Sequence, residues 1–571
     1  MKVLLYQVYS IIETAMRWRT SAAAAKRALG KSEMLCGVIP ILVLLANASV
    51  WGYETNDGAA LWCANFDTEV SRQEWTKHSQ VRFVEVTPGT ANDQAVNVDI
   101  PKNAGTGSAA IQIALPLEKF AGSRVRVSAR VKAEKVEKPE AAYNGVDIQL
   151  HVKTPSKENW YQKPNVYGSF DWQTVSFAAE IPRDVEVLTL SVGLEKTTGQ
   201  LWADDLQVEV ISKYPERPAR KMLFDDQGNR KPVYTGHDVS RLRGAMISPH
   251  HFGPEDLRVF AQEWKGNHVR WQMNWGFPNG QADTATIEQF QSWIDSECEL
   301  LDKMLPLCRE YGVAVCLDLH TSPGGRDPAQ NAVMFLRKDL QDAFVAVWIK
   351  LATKYKDEPA IWGYDLLNEP TEPEIPTGQG LLNWRDLAEK TAKAVREIDA
   401  KKPIIVEPAP WGGPEPLDYF EPINVSNVVY SVHMYLPHRF THQGVYDNPV
   451  GFEYPGTIDG VYWDKEALRE ALRPAIEFQE DYGVAIYIGE FSAIRWAPND
   501  SAQRYLKDVI ELFEEYEWDW AYHAYREWSG WSVEHTGAPG EDQKATSPTG
   551  RELLLRSWFE KNERAEAAPA P

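Results

Sequence analysis

The chain has 571 residues and carries 81 acidic against 60 basic side chains, a formal net charge of −21. This length exceeds what one ordinary core supports, so we expect two domains with appendages. The acidic balance disfavours nucleic acid as a partner, because phosphate binding needs a basic surface. The 22 Trp and 23 Tyr fit either core packing or stacking on the flat apolar faces of sugars.

The first 48 residues have the pattern of a secretory signal peptide, with an N-terminal anchor as the alternative. A basic region is followed by an apolar run at 36–45 and then by the small-residue site Ala46-Asn47-Ala48. An apolar run of about ten residues is too short to span a bilayer. We therefore predict a secreted, periplasmic or extracellular protein without a membrane span once the signal is removed. The basic residues are Arg17, Arg19, Lys26, Arg27 and Lys31.

The cysteines do not suggest a metal site. Cys298, Cys308 and Cys316 lie in or beside one helix–strand unit without the CxxC spacing typical of zinc ligands. We interpret them as buried thiols with at most one disulfide among them, and we expect neither a metal nor an organic cofactor.

Residues 54–212 alternate apolar and polar side chains in short runs broken by Gly, Pro and Asn. Such period-two runs, for example at 81–86, 124–129 and 146–152, predict an all-β sandwich. The segments at 170–175, 190–194 and 201–206 resemble the jelly-roll carbohydrate-binding-like modules attached to many polysaccharidases. The resemblance leaves open whether the domain binds glycan or only spaces the chain. Trp160, Tyr161, Tyr167 and Trp172 are candidate platforms for sugar, with core packing as the alternative.

After a polar segment at 213–237, read as a linker or a strap across the next domain, strands and helices alternate. Eight strands with intervening helices in residues 238–560 predict a (β/α)8 TIM barrel, although the fifth connection lacks a clear helix. Residues 561–571 are predicted to be a disordered tail. The predicted strands are 242–247, 268–273, 313–320, 361–368, 404–408, 428–435, 484–491 and 520–528. The predicted helices are 286–311, 340–355, 384–398, 465–482 and 502–516.

Polar side chains stand at the ends of most of these strands, where barrels of this kind carry their active sites. Two glutamates among them, Glu369 and Glu490, suit the cleavage of a glycosidic bond, which needs a proton donor and an anionic group beneath the sugar. Arg270 would hold Glu490 ionised, and Tyr435 would donate a hydrogen bond to it. Glu369 is then the acid. The polar strand ends are Arg270, Asp318 with His320, Asn368 with Glu369, His433 with Tyr435, Glu490, and Arg526 with Glu527.

The segment IWGYDLLNEP at 361–370 resembles the strand-four signature of glycoside hydrolase family 5. LDLHTSPGG at 317–325, HMY at 433–435 and IGEF at 488–491 match the same family in the same order. The resemblance implies a retaining enzyme with Glu369 as acid/base and Glu490 as nucleophile. It also implies that Asn368 touches the sugar 2-hydroxyl. The implied supporting residues are Arg270, His320, Asn368, His433 and Tyr435.

Strand eight departs from the family pattern. The resemblance implies that Trp528 is the aromatic floor of the subsite for the cleaved sugar, with a non-proline cis bond to Ser529, and Trp531 is the alternative. We interpret Glu407 and Glu527 as structural partners and leave them out of the predicted site. Structural roles are also open for Arg270 as a buried barrel arginine and for His320 and His433 as core histidines. Further residues could line distal subsites or simply pack, namely His250, His251, Trp271 and Trp275.

These features together predict a retaining β-glycoside hydrolase that acts on a β-linked polysaccharide or oligosaccharide, with endo-β-1,4-glucanase as the favoured activity. β-Mannanase, exo-β-glucanase and glycosylceramide hydrolase share the same catalytic frame. A non-catalytic glycan-binding protein and a transglycosylase also fit the sequence pattern. We expect a monomer.

Overall fold

The computed structural model describes residues 61–86, 93–155, 157–217, 236–275, 285–373, 379–445 and 448–563. The chain divides into two compact units between Lys213 and Tyr214. The predicted signal at 1–48 lies outside the described residues. Within the described part of the chain, no helix has the length and apolar character needed to cross a membrane.

The N-terminal unit is β-rich, as predicted, and consists of two antiparallel sheets. One sheet has the strand order β2-β3-β10-β5-β8, and β1 pairs with residues 206–209 of β10. The other sheet has the order β4-β9-β6-β7. Alternate side chains of both sheets point into one shared apolar core, as period two requires. The strands are β1 Leu61–Ala64, β2 Val81–Glu85, β3 Gln94–Ile100, β4 Gly107–Ala114, β5 Ser123–Val136, β6 Gly145–Lys153, β7 Glu158–Gln162, β8 Gly168–Ile181, β9 Val187–Thr197 and β10 Gly199–Lys213, with short helices α1 Glu69–Gln73 and α2 Leu117–Phe120 and a 3₁₀ turn at Lys102–Ala104.

The second unit is a closed barrel of eight parallel strands, which confirms the predicted (β/α)8 fold. Most of the strands are buried throughout, because helices cover their outer faces. The barrel strands are β11 Arg243–Ile247, β12 His268–Gln272, β13 Ala314–Asp318, β14 Ile361–Asp365, β15 Ile404–Val406, β16 Val428–Met434, β19 Ala485–Phe491 and β20 Asp519–Tyr522. Two small hairpins stand beside it, β17 Gly456–Ile458 with β18 Val461–Trp463, and β21 His535–Thr536 with β22 Gln543–Lys544.

Helices pack outside the barrel and enclose the main apolar core against the strands. The fifth connection has a 3₁₀ turn at Glu415–Asp418 in place of a helix, where closely spaced prolines remove the backbone donors that an α-helix needs. The helices are α3 Pro254–Arg258, α4 Ile287–Tyr311, α5 Lys338–Tyr355, α6 Trp384–Ile398, α7 His438–Thr441, α8 Lys465–Tyr482, α9 Ser501–Glu515 and α10 Gly550–Phe559. A π-helical turn at Val259–Glu263 and 3₁₀ turns at Pro249–His251 and Val333–Leu336 complete the set of helical elements described.

The eighth barrel strand, β20, ends at Tyr522, six residues earlier than predicted. Beyond it the chain leaves the barrel, because Tyr525 packs against Trp264 and Arg526 pairs with Asp256 at 2.7 Å. The non-proline cis bond expected at Trp528–Ser529 is instead His523–Ala524. The residue that directly follows strand eight is therefore His523, and Trp528 lies in the loop beyond it.

The described ends of the 213–237 segment lie on the barrel unit, as a strap would. Tyr214 stacks on Tyr419 with ring centroids 5.2 Å apart. His237 contacts the buried Asp519 at 2.6 Å. Residues 218–235 lie outside the described part of the chain.

The start of the predicted disordered tail is bound to the barrel, which corrects that prediction for residues 561–563. Asn562 donates from Nδ2 to the carbonyl oxygens of Arg243 and Lys265, and Glu563 accepts from the backbone N–H of Ser240. These polar side chains satisfy backbone groups at the strand entrances, so a polar composition does not mean disorder here. Residues 564–571 lie outside the described structure.

The described cysteines are free, so none of Cys298, Cys308 and Cys316 forms a disulfide. All three are buried, as one of the two interpretations predicted. Burial raises the pKa of the Cys308 thiol to about 12, which keeps it protonated and unreactive at neutral pH.

Candidate active site

The carboxyl ends of the barrel strands bring most of the predicted site residues into one connected cluster. Two of the contacts span strands far apart in sequence. Arg270 on β12 lies 2.7 Å from Glu490 on β19, and His433 on β16 lies 3.0 Å from Glu369 after β14. His320 joins through Asp318, which it contacts at 2.9 Å and which in turn contacts Arg270. Trp528 is the predicted residue that stands apart from this cluster.

The two glutamates face each other across a short gap. One carboxylate oxygen of Glu369 and one of Glu490 lie within 4.8 Å of each other. Their surroundings differ, since the Glu490 side chain is 4% exposed and that of Glu369 is 23% exposed. The Glu490 carboxyl group is thus enclosed by protein, and the Glu369 carboxyl group is partly open to solvent.

Arg270 is fully buried and serves as the common donor of the cluster. Its Nη1 donates to Glu490 at 2.7 Å, its Nε to Asp365 at 2.9 Å and its Nη2 to Glu407 at 2.9 Å. Nη2 also lies 3.1 Å from Asp318. Burial opposes the guanidinium charge, but these carboxylates outweigh it and raise the pKa of Arg270 well above its ordinary value. One permanent cation therefore balances part of a strongly anionic interior.

Glu490 stays ionised in this environment. Burial alone would raise its pKa, but the positive charges of His433, His523 and Arg270 outweigh burial and hold the pKa well below the ordinary range. Tyr435 donates its phenolic hydrogen to Glu490 Oε2 at 2.9 Å. Burial and the neighbouring glutamates raise the pKa of Tyr435, so the phenol keeps its proton.

His433 is an imidazolium between acidic neighbours. Its Nδ1 lies 3.0 Å from Glu369 Oε1 and its Nε2 lies 3.1 Å from Glu407 Oε1. Burial disfavours the cation, yet Glu407 and Glu490 raise its pKa well above the ordinary value. Atoms of Glu369, His433 and Glu490 lie within 4.8 Å of one another, a spacing that a cation could use. While His433 carries both ring protons, it has no free lone pair to offer to a cation.

The comparisons with known proteins agree with this geometry. The sequence profile of the family described as cellulase (glycosyl hydrolase family 5) matches residues 234–535. The chain belongs to this family. It is a β-glycoside hydrolase, as predicted from the strand ends.

Relatives of this hydrolase match about half of the chain. Endoglucanase C of Acetivibrio thermocellus is 30% identical over 302 residues, which are 48% of this chain and 84% of that protein. Cellodextrinase A of Ruminococcus flavefaciens is 24% identical over 287 residues, covering 48% and 81% of the two chains. The solved structure of Thermotoga maritima Cel5A in complex with cellobiose is 25% identical, covers 56% of this chain and 96% of its own, and has a TM-score of 0.41.

Glu407, which we interpret from the sequence as a structural partner, lies at the centre of the hydrolase site. Besides Arg270 and His433, it accepts the backbone N–H of Glu369 at 2.7 Å. Glu369 has a left-handed backbone with φ of 45°, and this hydrogen bond fixes that unusual conformation. A Cβ atom on Gly412 would stand 2.6 Å from Glu407 Oε2, so only glycine fits beside the carboxylate. The sequence contains a signal for this position, because Glu407 directly follows the fifth barrel strand, β15, and the other site residues also lie at or after the ends of barrel strands.

His523 is absent from the predicted site, because the predicted strand eight runs past it. Its Nδ1 contacts the Tyr435 hydroxyl and lies 3.4 Å from Glu490 Oε2. Its Nε2 lies 3.7 Å from Glu527 Oε1. Burial disfavours the imidazolium, but Glu490 and Glu527 raise the pKa of His523 above its ordinary value.

The aromatic side chains near the site differ in their exposure. Trp528 is 41% exposed and meets the ring of Trp531 edge-on at 5.5 Å. Trp531 is buried and is the closer of the two to the catalytic cluster, 6.2 Å from the Tyr435 ring. Trp411 is 46% exposed and has the Arg326 guanidinium on one face at 5.0 Å.

Arg326 links Trp411 to the catalytic loop. It donates to the carbonyl oxygen of Glu369 at 2.7 Å. Trp411 itself donates its backbone N–H to the Pro370 carbonyl. An exposed indole is thereby fixed beside the more accessible glutamate.

The four residues predicted either to line distal subsites or to pack have different environments. Trp271 is buried in the core, and Trp275 stacks on Trp293 at 5.3 Å. His250 contacts the buried Glu297 at 2.8 Å. His251 ends the 3₁₀ turn after strand one and is exposed.

Proposed function

We propose that the protein is a retaining β-glycoside hydrolase in which Glu490 is the nucleophile and Glu369 the acid/base. The distance between their carboxylate oxygens, within 4.8 Å, supports this mechanism most strongly. Retaining glycosidases hold the two groups about 5 Å apart, whereas inverting enzymes need roughly 6.5–9.5 Å to admit a water molecule. The anionic state of Glu490 fits a nucleophile, and the greater exposure of Glu369 fits a group that meets the leaving oxygen.

In the first step Glu369 donates its proton to the glycosidic oxygen while Glu490 attacks the anomeric carbon and the bond to the leaving sugar breaks. In the second step Glu369 takes a proton from water, which attacks the same carbon and releases Glu490. Asn368 accepts from Arg270 with its Oδ1, so its amide N–H groups stay available for the sugar 2-hydroxyl. His433 and Tyr435 keep the two glutamates in position.

The substrate class that we propose is β-1,4-glucan, cleaved within the chain. A relative named endoglucanase is 30% identical over 302 residues. The exposed indoles of Trp411 and Trp528 offer flat surfaces on which glucose units of a long chain stack. Mannan, exo-acting and glycosylceramide activities use the same catalytic pair and differ in the surrounding loops. Export of the protein and its monomeric state stay predictions.

The mechanism is tested with Glu490→Ala and Glu369→Ala on 2,4-dinitrophenyl β-cellobioside. Glu490→Ala should lose cleavage, and azide should restore it with formation of the α-glycosyl azide. Glu369→Ala should still form the glycosyl-enzyme, because this leaving group needs no proton, and azide should then give the β-glycosyl azide. Glu453→Gln, an exposed carboxylate bonded to Asn499, is the control. Unimpaired cleavage by Glu490→Ala would exclude the proposed nucleophile.

We also propose that the N-terminal unit binds glycan on the outer face of its four-stranded sheet. Trp160 is 54% exposed there and stacks on His151, with ring centroids 4.9 Å apart. Gln149 and Gln162 lie beside them in register on the same face. By contrast, Tyr161 and Tyr167 pack against the core. An exposed aromatic ring beside amide groups is the usual composition of a sugar-binding surface.

This second proposal is tested in the inactive Glu490→Ala background by electrophoresis through gels that contain soluble β-glucan. Trp160→Ala should weaken the retardation of the full chain, and the retardation that remains then comes from the barrel site. Trp172→Ala is the matched control, because this aromatic lies on the other sheet beneath Arg130. Retardation that is unchanged in Trp160→Ala contradicts the proposal.

A further inference from the structure

His523 and Glu527, near the nucleophile, each have a buried polar atom without a hydrogen-bond partner among the described residues. These atoms are Nε2 of His523 and Oε2 of Glu527. Nε2 lies 3.7 Å from the other carboxylate oxygen of Glu527, which is too far for a direct hydrogen bond. Buried polar groups normally find partners, and those that lack one in a pocket indicate a ligand or water.

The hydrogen-bond pattern around Tyr435 determines which atoms are available. Its single hydroxyl hydrogen is donated to Glu490 Oε2. His523 Nδ1 must therefore donate to the phenolic oxygen and cannot accept from it. Glu490 and Glu527 raise the pKa of His523 and so favour the imidazolium, in which Nε2 also carries a hydrogen. The side chain thus presents a donor toward the gap in front of Glu527.

This gap adjoins the sugar ring that Glu490 attacks. His523 Nδ1 lies 3.4 Å from Glu490 Oε2. Because Glu490 attacks the anomeric carbon in the proposed mechanism, the imidazole lies beside the sugar ring that contains this carbon. Glu527 lies on the other side of this imidazole, with its Oε1 3.7 Å from Nε2. Trp531 closes the wall behind His523, with ring centroids 5.9 Å apart.

We propose that His523 and Glu527 form a specificity-determining pair that binds one hydroxyl group of the sugar cleaved by the enzyme. The hydroxyl oxygen accepts from His523 Nε2 and donates its hydrogen to the Glu527 carboxylate. A hydroxyl matches this pair because it is donor and acceptor at once. An anionic substituent would meet the Glu527 charge, and a cationic one would meet His523. The inference rests on the proposed function of the Glu369–Glu490 pair.

The selectivity follows from the same pairing. A site built to bond a hydroxyl rejects a sugar that lacks it far more strongly than an apolar pocket rejects an extra group, because a buried donor and a buried acceptor then stay without a hydrogen-bond partner. The wall beside the nucleophile therefore selects by hydrogen bonding rather than by stacking on a tryptophan face. Stacking is the role that the family resemblance implied for Trp528.

The test is a coupling experiment with aryl β-cellobiosides that lack the 3-hydroxyl or the 6-hydroxyl of the glucose next to the aryl group. In the wild type, kcat/KM should fall by roughly 10²- to 10⁴-fold for one of the two deoxy substrates. His523→Gln and Glu527→Gln should each lower kcat/KM on the parent substrate by a similar order. On that deoxy substrate, kcat/KM of each variant should be only a few-fold lower than that of the wild type.

Glu453→Gln is the control and should behave as the wild type on every substrate. Thermal unfolding and circular dichroism of the two variants establish that each is folded. The proposal is overturned if the loss of kcat/KM caused by each substitution is as large on both deoxy substrates as on the parent substrate. It is also overturned if both variants are fully active on the parent substrate. Failure of the proposed function is a separate outcome, in which the wild type cleaves none of these glycosides or Glu490→Ala cleaves them normally.

Discussion

Glu407→Gln removes one negative charge from the buried cluster with almost no change of side-chain shape. The native carboxylate accepts from Arg270 Nη2 at 2.9 Å and from the Glu369 backbone at 2.7 Å, and His433 Nε2 lies 3.1 Å away. All three neighbours are donors. A glutamine amide must turn its NH₂ group toward at least one of them, so at least one buried donor loses its acceptor.

The magnitude follows from the burial of these groups. Removing one partner of a fully buried ion pair destabilises a protein by roughly 3–5 kcal/mol. We expect a loss of that order in the free energy of unfolding, a large part of the roughly 5–15 kcal/mol that holds a typical domain together. Glu407 is also the first of the charges that raise the pKa of His433 against the effect of burial. The pKa of His433 should therefore fall in the variant.

The pH dependence has a definite sign. A histidine whose folded pKa is raised stabilises the native state fully below its ordinary pKa of about 6.5 and loses this contribution as the pH rises through the folded pKa. In Glu407→Gln the loss should be complete at a lower pH, because only the folded pKa changes. The alkaline limb of the kcat/KM profile should move in the same direction.

Urea unfolding followed by tryptophan fluorescence, at several pH values from about 6 to 9 around the ordinary histidine pKa, measures the loss of stability. Glu297→Gln is the matched control, because Glu297 is also fully buried and meets the His250 ring and the Trp293 indole N–H through a single oxygen. It should lose about 1 kcal/mol. A loss below about 1 kcal/mol in Glu407→Gln, with an unchanged pH dependence, would refute the importance of this carboxylate.

Three further predictions concern single side chains. Tyr435→Phe removes a donor to the Glu490 carboxylate, so kcat/KM should fall roughly 10- to 100-fold and its acid limb should move to higher pH; an unshifted limb contradicts this. Asp147 is buried and its pKa is raised to about 7, so ionising it in the folded chain costs stability. Asp147→Asn should therefore stabilise the chain by an amount that grows from about pH 4, levels off above the raised pKa and reaches about 4 kcal/mol at most. A difference in thermal unfolding that is the same at every pH rules out this cause. Trp411→Ala should raise KM for soluble β-glucan several-fold and leave short aryl glycosides nearly unaffected, and equal effects on both substrates would show that the exposed indole does not bind a sugar chain.

The sequence by itself determined the architecture of the barrel and the identity of its two central glutamates. Apolar strands alternating with amphipathic helices specify a parallel barrel, and parallel strands bring all their carboxyl ends to one rim. Residues far apart in the chain, such as Arg270 and Glu490, are therefore predicted to meet before any coordinates are known. The match of the family profile at 234–535 confirms the barrel and its enzyme class.

Only the tertiary structure decided where strand eight ends. The segment from Trp520 to Trp528 contains no Gly, Pro, Asn, Asp or Ser, so the local sequence contains no stop signal. The strand ends at Tyr522 because Tyr525 and Arg526 bind partners on α3 and the helical turn after it. His523 thereby replaces Trp528 beside the nucleophile.

The charge states of the site were likewise decided by packing. The sequence shows several acids at strand ends, but a pKa depends on burial and on distances of a few ångströms between groups from different strands. Glu407 is an ordinary strand-end acid in the sequence, and it becomes central because Arg270, His433 and the Glu369 backbone surround it in the fold. The strand pattern determines which residues reach the rim, and the contacts among them determine which carry protons, because electrostatic interactions depend on distances that local sequence does not encode.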